Sequence, residues 1–248
     1  MNNSQNNFMI PMSIIVVGVM ISAALFFGLQ KTNNVLGTNS NTNTPAVTVA
    51  PDATPTPMIV QVSTGNAPML GDKNAPITII EFSDYECPYC KQSYTTMIPD
   101  LTKEMIDTGK VKFYFRNYPL YFHDPAATKD AMVALCAKDQ GNDDTYYKMH
   151  DLLFTNSGGN GTGITEDKLK EMVTSLKLDY TKLSKCVEDK KFSDVIANDM
   201  ADAEAIGING TPSYVIGKSS SNGTITGEVL IGAYPYTAVK ALIDQYSN

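Results

Sequence analysis

The strongest constraint in the chain is the run Ile77-Thr78-Ile79-Ile80-Glu81-Phe82-Ser83, which passes through Asp84-Tyr85-Glu86 into Cys87-Pro88-Tyr89-Cys90. The β-branched, apolar run has strand length, and from Lys91 to Ile106 apolar residues recur at helical spacing, so the order is strand, thiol pair, helix. That order puts Cys87 at a helix N-terminus, where unpaired N–H groups and aligned peptide dipoles favour negative charge. Cys87 is therefore expected to be the more acidic sulfur and the attacking thiolate. Cys90, about one turn further in, faces back to close a disulfide with it, and Pro88 suits the first helical turn. A zinc site would need a second pair of ligands at close spacing, and Cys136, Cys186, His123 and His150 offer none. A purely structural disulfide gains little from so short a loop. Redox chemistry is the reading that remains, and it needs no cofactor beyond the two sulfurs.

Of 248 residues, 43% are hydrophobic and 18% charged, enough for one sizeable domain with an appendage. A net charge of −7 lacks the basic footprint of a nucleic-acid binder and excludes that partner. Residues 1–9 form an Asn-rich tail. Ile10 to Leu29 has almost no strong polarity, and as a helix it spans about 30 Å, the thickness of a bilayer core. Residues 10–30 are thus a transmembrane anchor or signal segment, and the apolar run through Leu25-Phe26-Phe27 suits an uncleaved anchor better. No Lys or Arg precedes Lys31, so charge does not set the orientation. Residues 31–68, with Pro45, Pro51, Pro55 and Pro57 among Asn, Thr and Ala, read as a flexible, Pro-stiffened linker; Met58 to Val62 can add a short edge strand.

The domain is expected over residues 69–248. The catalytic helix runs from Cys90 to about Thr108, kinked at Pro99 and stopped by Gly109. Val111 to Arg116 alternates as a second strand, parallel to the first. A helical block follows at about 123–206, with Asp124 capping and Pro125 starting its first helix, Thr165 and Asp179 opening later ones, and Phe192, Val195, Ile196, Met200 and Ala203 marking the last. Ser213 to Ile216 and Glu228 to Ile231 resume the sheet around Asn222-Gly223, and Pro235 begins the final helix. His123 and His150 read as packed or surface residues. Ser157-Gly158-Gly159-Asn160-Gly161-Thr162-Gly163 lacks a phosphate-loop lysine and reads as a loop.

Three segments carry a resemblance: E-F-S-D-Y-E-C-P-Y-C, F-R-N-Y-P-L-Y-F-H-D-P-A-A at 115–127, and G-I-N-G-T-P-S-Y-V-I at 207–216. From about Met69 onward the chain resembles the bacterial DsbA-like thiol:disulfide oxidoreductases of the thioredoxin superfamily. The element order β-α-β, helical block, β-β-α agrees with what the resemblance implies: an α/β thioredoxin fold with an α-helical insertion, here preceded by one transmembrane helix and a linker. It further implies that Pro212 is cis and faces the thiols, and that Pro88, Tyr89, Thr211 and Pro212 contact substrate. Glu81 falls where the family carries a buried acid, and on a strand flanked by Ile79, Ile80 and Phe82 it is expected to be buried, with a raised pKa, able to carry the proton of Cys90. Asp84 and Glu86 read as solvated loop acids.

Tyr89 departs from the strongest oxidants of that family, which carry a thiolate-stabilising histidine there. Cys136 and Cys186 are either buried free thiols or a staple across about 50 residues, worth roughly 4 kcal/mol. Some relatives carry such a structural pair, and the staple is favoured, in an oxidising compartment. The expected activity is a membrane-tethered exchange of disulfides with exported proteins, the domain lying outside the cytoplasm, most simply as a dithiol oxidase re-oxidised by a membrane redox partner. The alternatives are a reductase or isomerase kept reduced by a membrane electron donor, and a non-catalytic peptide-binding module.

Overall fold

A computed structural model describes residues 56–247. The candidate membrane segment at 10–30 and the linker up to residue 55 lie outside the described residues; among those described, no helix is long and apolar enough to cross a membrane. The strands are β1 (Ile59–Ser63), β2 (Met69–Gly71), β3 (Ile77–Ser83), β4 (Val111–Asn117), β5 (Ser213–Lys218) and β6 (Thr224–Ile231). They form one sheet in the order β1-β6-β5-β3-β4-β2. β3 is buried along its whole length, as a strand covered on both faces must be. It pairs in parallel with β4 and antiparallel with β5, while β1 and β2 close the two edges antiparallel.

Residues 59–68 belong to this fold and not to the linker. Ile59 lies opposite Glu228 on β6, and Tyr147 Oη donates to the Pro68 carbonyl at 2.9 Å. The sheet therefore includes residues from Ile59 on, ten positions before Met69. Its first strand, Ile59–Ser63, is the short edge strand expected at Met58 to Val62, with Ile59 exposed.

Side chains alternate along β3, sending Ile77, Ile79 and Glu81 to one face and Ile80 and Phe82 to the other. The first face carries the larger core, where Ile79, Phe115 and Tyr214 meet Met97, Leu153 and Ile243. The second is smaller and joins Phe82, Val215 and Ile225 to Ala203 and Ile208. Arg116, only 2% exposed, ties that second face to the helix above it through Asp199 at 2.7 Å and Asp202 at 2.7 Å.

After β3 come α1 (Pro88–Thr96) and α2 (Ile98–Leu101), the latter continuing into a π-helical turn, Thr102–Ile106. The continuous kinked helix expected from Cys90 to Thr108 is thus two helices that meet at Met97. Pro99 has no N–H to donate to the carbonyl four residues back and its ring clashes there. Just before the break, the Thr95 hydroxyl donates to the Lys91 and Gln92 carbonyls and the Thr96 hydroxyl to that of Gln92. Gly109, at φ +71°, ends the unit as expected. The insertion holds α3 (Ala126–Asp139), α4 (Asp143–Asn156), α5 (Glu166–Ser175), α6 (Tyr180–Glu188) and α7 (Ser193–Ala205); α8 (Tyr236–Ser247) packs back on the sheet. Thr165 and Asp179 cap α5 and α6 as expected. Pro125 precedes α3 and does not start it, although Asp124 Oδ1 still accepts from Thr128 N at 3.1 Å.

Candidate active site

Cys87 is the N-cap of α1 and Pro88 its first helical residue, so the Cys87 sulfur lies at the helix end where backbone N–H groups lack intrahelical partners. Cys87 and Cys90 are free thiols; Cys87 keeps 3% of its surface and Cys90 none, which leaves only Cys87 open to attack. Donation from the Cys90 thiol, then from Thr211 and the Cys90 and Tyr89 backbone amides, lowers the Cys87 pKa to about 6 against the cost of burial. Burial, reinforced by the Cys87 charge, drives the Cys90 thiol well above its ordinary value. The two sulfurs are therefore a thiolate and a thiol near neutral pH.

The Cys87 Sγ also lies 3.6 Å from the Thr211 carbonyl oxygen, and the Thr211–Pro212 peptide bond is cis. Pro212 is buried and Thr211 partly exposed, whereas Pro88 and Tyr89 stand open, Tyr89 at 65%. These residues border the sulfur on two sides. Glu81, 3% exposed, lies opposite Tyr214 of β5 on the sheet face that carries the thiol helix. Burial raises its carboxyl to about 7, partly offset by the Ser83 and Tyr214 hydroxyls. A carboxyl that titrates there can give or take a proton under neutral conditions.

Cys136 of α3 and Cys186 of α6 are joined, with an S–S distance of 1.97 Å across a separation of 50 residues. His150 sits among Tyr85, Phe115 and Phe154, where burial lowers its pKa. No group of His, Cys, Asp and Glu among the described residues could hold a metal ion.

Asp84 and Glu86 contradict the expectation of solvated loop acids: they are 2% and 0% exposed. Asp84 Oδ1 accepts from Glu86 N at 2.8 Å, and its Oδ2 accepts from Leu120 N at 3.0 Å and from His123 Nδ1 at 2.7 Å. Its backbone carbonyl takes the Cys87 N–H at 3.1 Å. Glu86 accepts from Ser157 Oγ and Gly163 N, so the loop read as plain in the sequence is bound to the thiol motif. The Asx turn at Asp84 is a short-range signal that could have been read; the partners of Glu86, more than 70 residues away, give none.

A sheet of this order, with a thiol pair at a helix N-terminus beside an X-Pro bond, defines a thiol–disulfide exchange protein of thioredoxin fold. Residues 63–233 match the family described as thioredoxin. A probable disulfide bond formation protein D of Bacillus cereus is 30% identical over 156 residues, covering 62% of this chain and 71% of that protein. The crystal structure of oxidised BdbD from Bacillus subtilis superposes with a TM-score of 0.66 at 25% identity, over 77% of this chain and 97% of the other. That of Pseudomonas aeruginosa DsbA2 gives 0.59 at 28% identity, over 72% and 93%. The chain belongs to the thioredoxin family and, within it, to the DsbA-like thiol:disulfide oxidoreductases.

Proposed function

We propose that this protein introduces disulfides into exported polypeptides as a membrane-tethered dithiol oxidase working through Cys87 and Cys90. The observation that carries the reading is the division of labour between the sulfurs: one at the helix tip with a lowered pKa, the other sealed beneath it. In the oxidised protein, a substrate thiolate attacks the Cys87 sulfur, the S–S bond breaks, and Cys90 leaves as a thiolate that takes a proton from Glu81. A second substrate thiolate then attacks the substrate sulfur of the mixed disulfide. Cys87 departs as a stabilised thiolate, the substrate gains a disulfide, and two electrons pass to the enzyme. Pro88, Tyr89, Thr211 and Pro212 border Cys87 and are the residues that would hold the substrate chain. The electrons then go to a membrane redox partner.

The apolar residues 10–29 support tethering, and the joined Cys136 and Cys186 support an oxidising, extracytoplasmic compartment. A second reading, a reductase or isomerase, draws on Tyr89. With Cys87 near pH 6, the thiolate stabilises the reduced form at pH 7 by about 1.4 kcal/mol, roughly 30 mV. A thiol near 4.5 would give about 3.4 kcal/mol, roughly 75 mV.

Equilibrium redox titration of the full chain separates the two readings. The oxidase reading expects a potential well above the value of about −270 mV typical of thioredoxin, and a value at that level overturns it. Oxidation of a reduced, unfolded polypeptide should fall to background in Cys87→Ser; an unchanged rate would remove the catalytic assignment.

A further inference from the structure

Glu86 precedes the attacking cysteine, yet its side chain is fully buried. Its Oε1 accepts from Ser157 Oγ at 2.6 Å and its Oε2 from Gly163 N at 3.1 Å, while its backbone carbonyl accepts from Asn160 N at 2.7 Å. Lys91 Nζ adds a bond to the Ser157 carbonyl at 2.6 Å. Together these bonds tie residues 157–163, between α4 and α5, to the first turn of the thiol helix. Gly159, Gly161 and Gly163 all have positive φ, so the segment follows a path that other residues rarely adopt. A Cβ added at Gly159 would lie 3.5 Å from the Glu86 carbonyl and 3.8 Å from Pro88 Cγ. The segment is thus a backbone wall packed directly beside the C-P-Y-C turn.

Asp130 of α3 meets the Glu86 carboxylate. It is 1% exposed, and its Oδ2 has no hydrogen-bond partner among the described residues. Burial, with Glu86 beside it, holds the Asp130 carboxyl in its protonated form near neutral pH, so Asp130 is the donor of the pair. Two buried carboxyls in contact cannot both ionise cheaply, and a shared proton resolves the conflict.

We propose that Glu86 and Asp130 form a proton-sharing pair that positions the 157–163 wall beside Cys87 and so sets how fast a polypeptide, as distinct from a small thiol, exchanges with the Cys87–Cys90 disulfide. The proposal rests on the oxidoreductase reading. A small dithiol needs only to reach the sulfur. A polypeptide must also fit its backbone beside the wall, and its rate depends on that alignment.

Burial, and then the Glu86 charge, push Asp130 up to about 8. The other groups that face the pair are Asp84, bonded to His123; Lys129, paired with Glu166 of α5 at 3.7 Å; the Tyr85 hydroxyl; and Lys91 on the far side of the wall. Because the folded pKa lies above the ordinary carboxyl value of 3.8, the stability this group contributes is complete below that value and is lost as pH rises to about 8. Above it, two buried charges repel and the wall loosens.

The test is the ratio of two rates measured on the full oxidised chain: oxidation of a reduced, unfolded two-thiol polypeptide, divided by oxidation of dithiothreitol. The ratio cancels the pH dependence of the enzyme's own sulfurs, and reading each ratio relative to Asp130→Asn at the same pH removes that of the two probes' thiols. In the wild type it should fall about fivefold between about pH 7 and about pH 9. Glu86→Ala should show it lowered roughly tenfold throughout. Asp130→Asn keeps a donor and has no proton to lose, so its ratio should not share the wild-type fall. A wild-type ratio that does not change with pH, an Asp130→Asn ratio that follows the wild type downward, or a wild-type ratio in Glu86→Ala overturns the proposal. Should Glu86→Ala fail to fold, the wild-type and Asp130→Asn profiles decide it. A wild type that oxidises neither probe overturns the oxidoreductase reading itself.

Discussion

Cys87 and Cys90 are neighbours at the start of α1 and stand as free thiols, whereas Cys136 and Cys186 lie 50 residues apart on α3 and α6 and are joined. The difference lies in the backbone around the sulfurs. Cys87 is the cap of a helix whose free N–H groups point at it, with a deeply buried partner that can donate but resists ionising. Cys136 and Cys186 lie mid-helix or later, with no N-terminal field, and their union closes a long loop of the insertion. A thiolate poised by hydrogen bonds suits exchange; a long closed loop suits stability. The comparison can be broken at either pair.

The largest effect is expected at the joined pair. Replacing both Cys136 and Cys186 by Ala restores the entropy of a 50-residue loop to the unfolded chain and should cost about 4 kcal/mol in denaturant unfolding. The redox potential of Cys87 and Cys90 should not move. A change in potential with no loss of stability would reverse the two roles.

Next comes Glu81, the acid beneath the active pair. Its folded pKa is raised from 4.5 to about 7, so the stability it contributes is complete below 4.5 and is lost as pH rises to about 7. In Glu81→Gln that decline should vanish, leaving the variant more stable above neutral pH by on the order of 3 kcal/mol. The same variant should slow exchange at least about tenfold, since Cys90 loses its proton carrier. Parallel stability profiles in the two proteins would show that the carboxyl does not titrate as described.

The smallest effect is at Tyr89. Tyr89→His places a cation next to the Cys87 thiolate and should raise the potential by no more than about 40 mV, because the position is 65% exposed and solvent screens it. A lower potential in this variant would contradict the thiolate argument.

What could be read in advance follows from chain locality. The order strand, thiols, helix is local, and the apolar neighbours Ile79, Ile80 and Phe82 pointed to burial of Glu81. The parallel pairing of β3 with β4 followed from the helix between them. The burial of Asp84 and Glu86 is not legible locally, because it is made by partners distant in sequence: Leu120 and His123 for Asp84, and for Glu86 Ser157 and Gly163, in a segment that composition alone marks as a polar loop. Pro99 marks the helix break in the sequence, but the break itself falls two residues earlier, at Met97, because the proline disrupts the turn that precedes it. The edge strand expected at Met58 to Val62 is present as Ile59–Ser63, its alternation of Ile59, Val60 and Val62 with Gln61 and Ser63 being a local signal.

The account turns on the charge state of one sulfur. Ultraviolet thiolate absorbance of the reduced full chain, followed against pH, reads it directly. The prediction is a single ionisation near pH 6 that disappears in Cys87→Ser, with Cys90 still protonated well into the alkaline range. A first ionisation at the ordinary thiol value of about 8.5, or one that survives in Cys87→Ser, would contradict it.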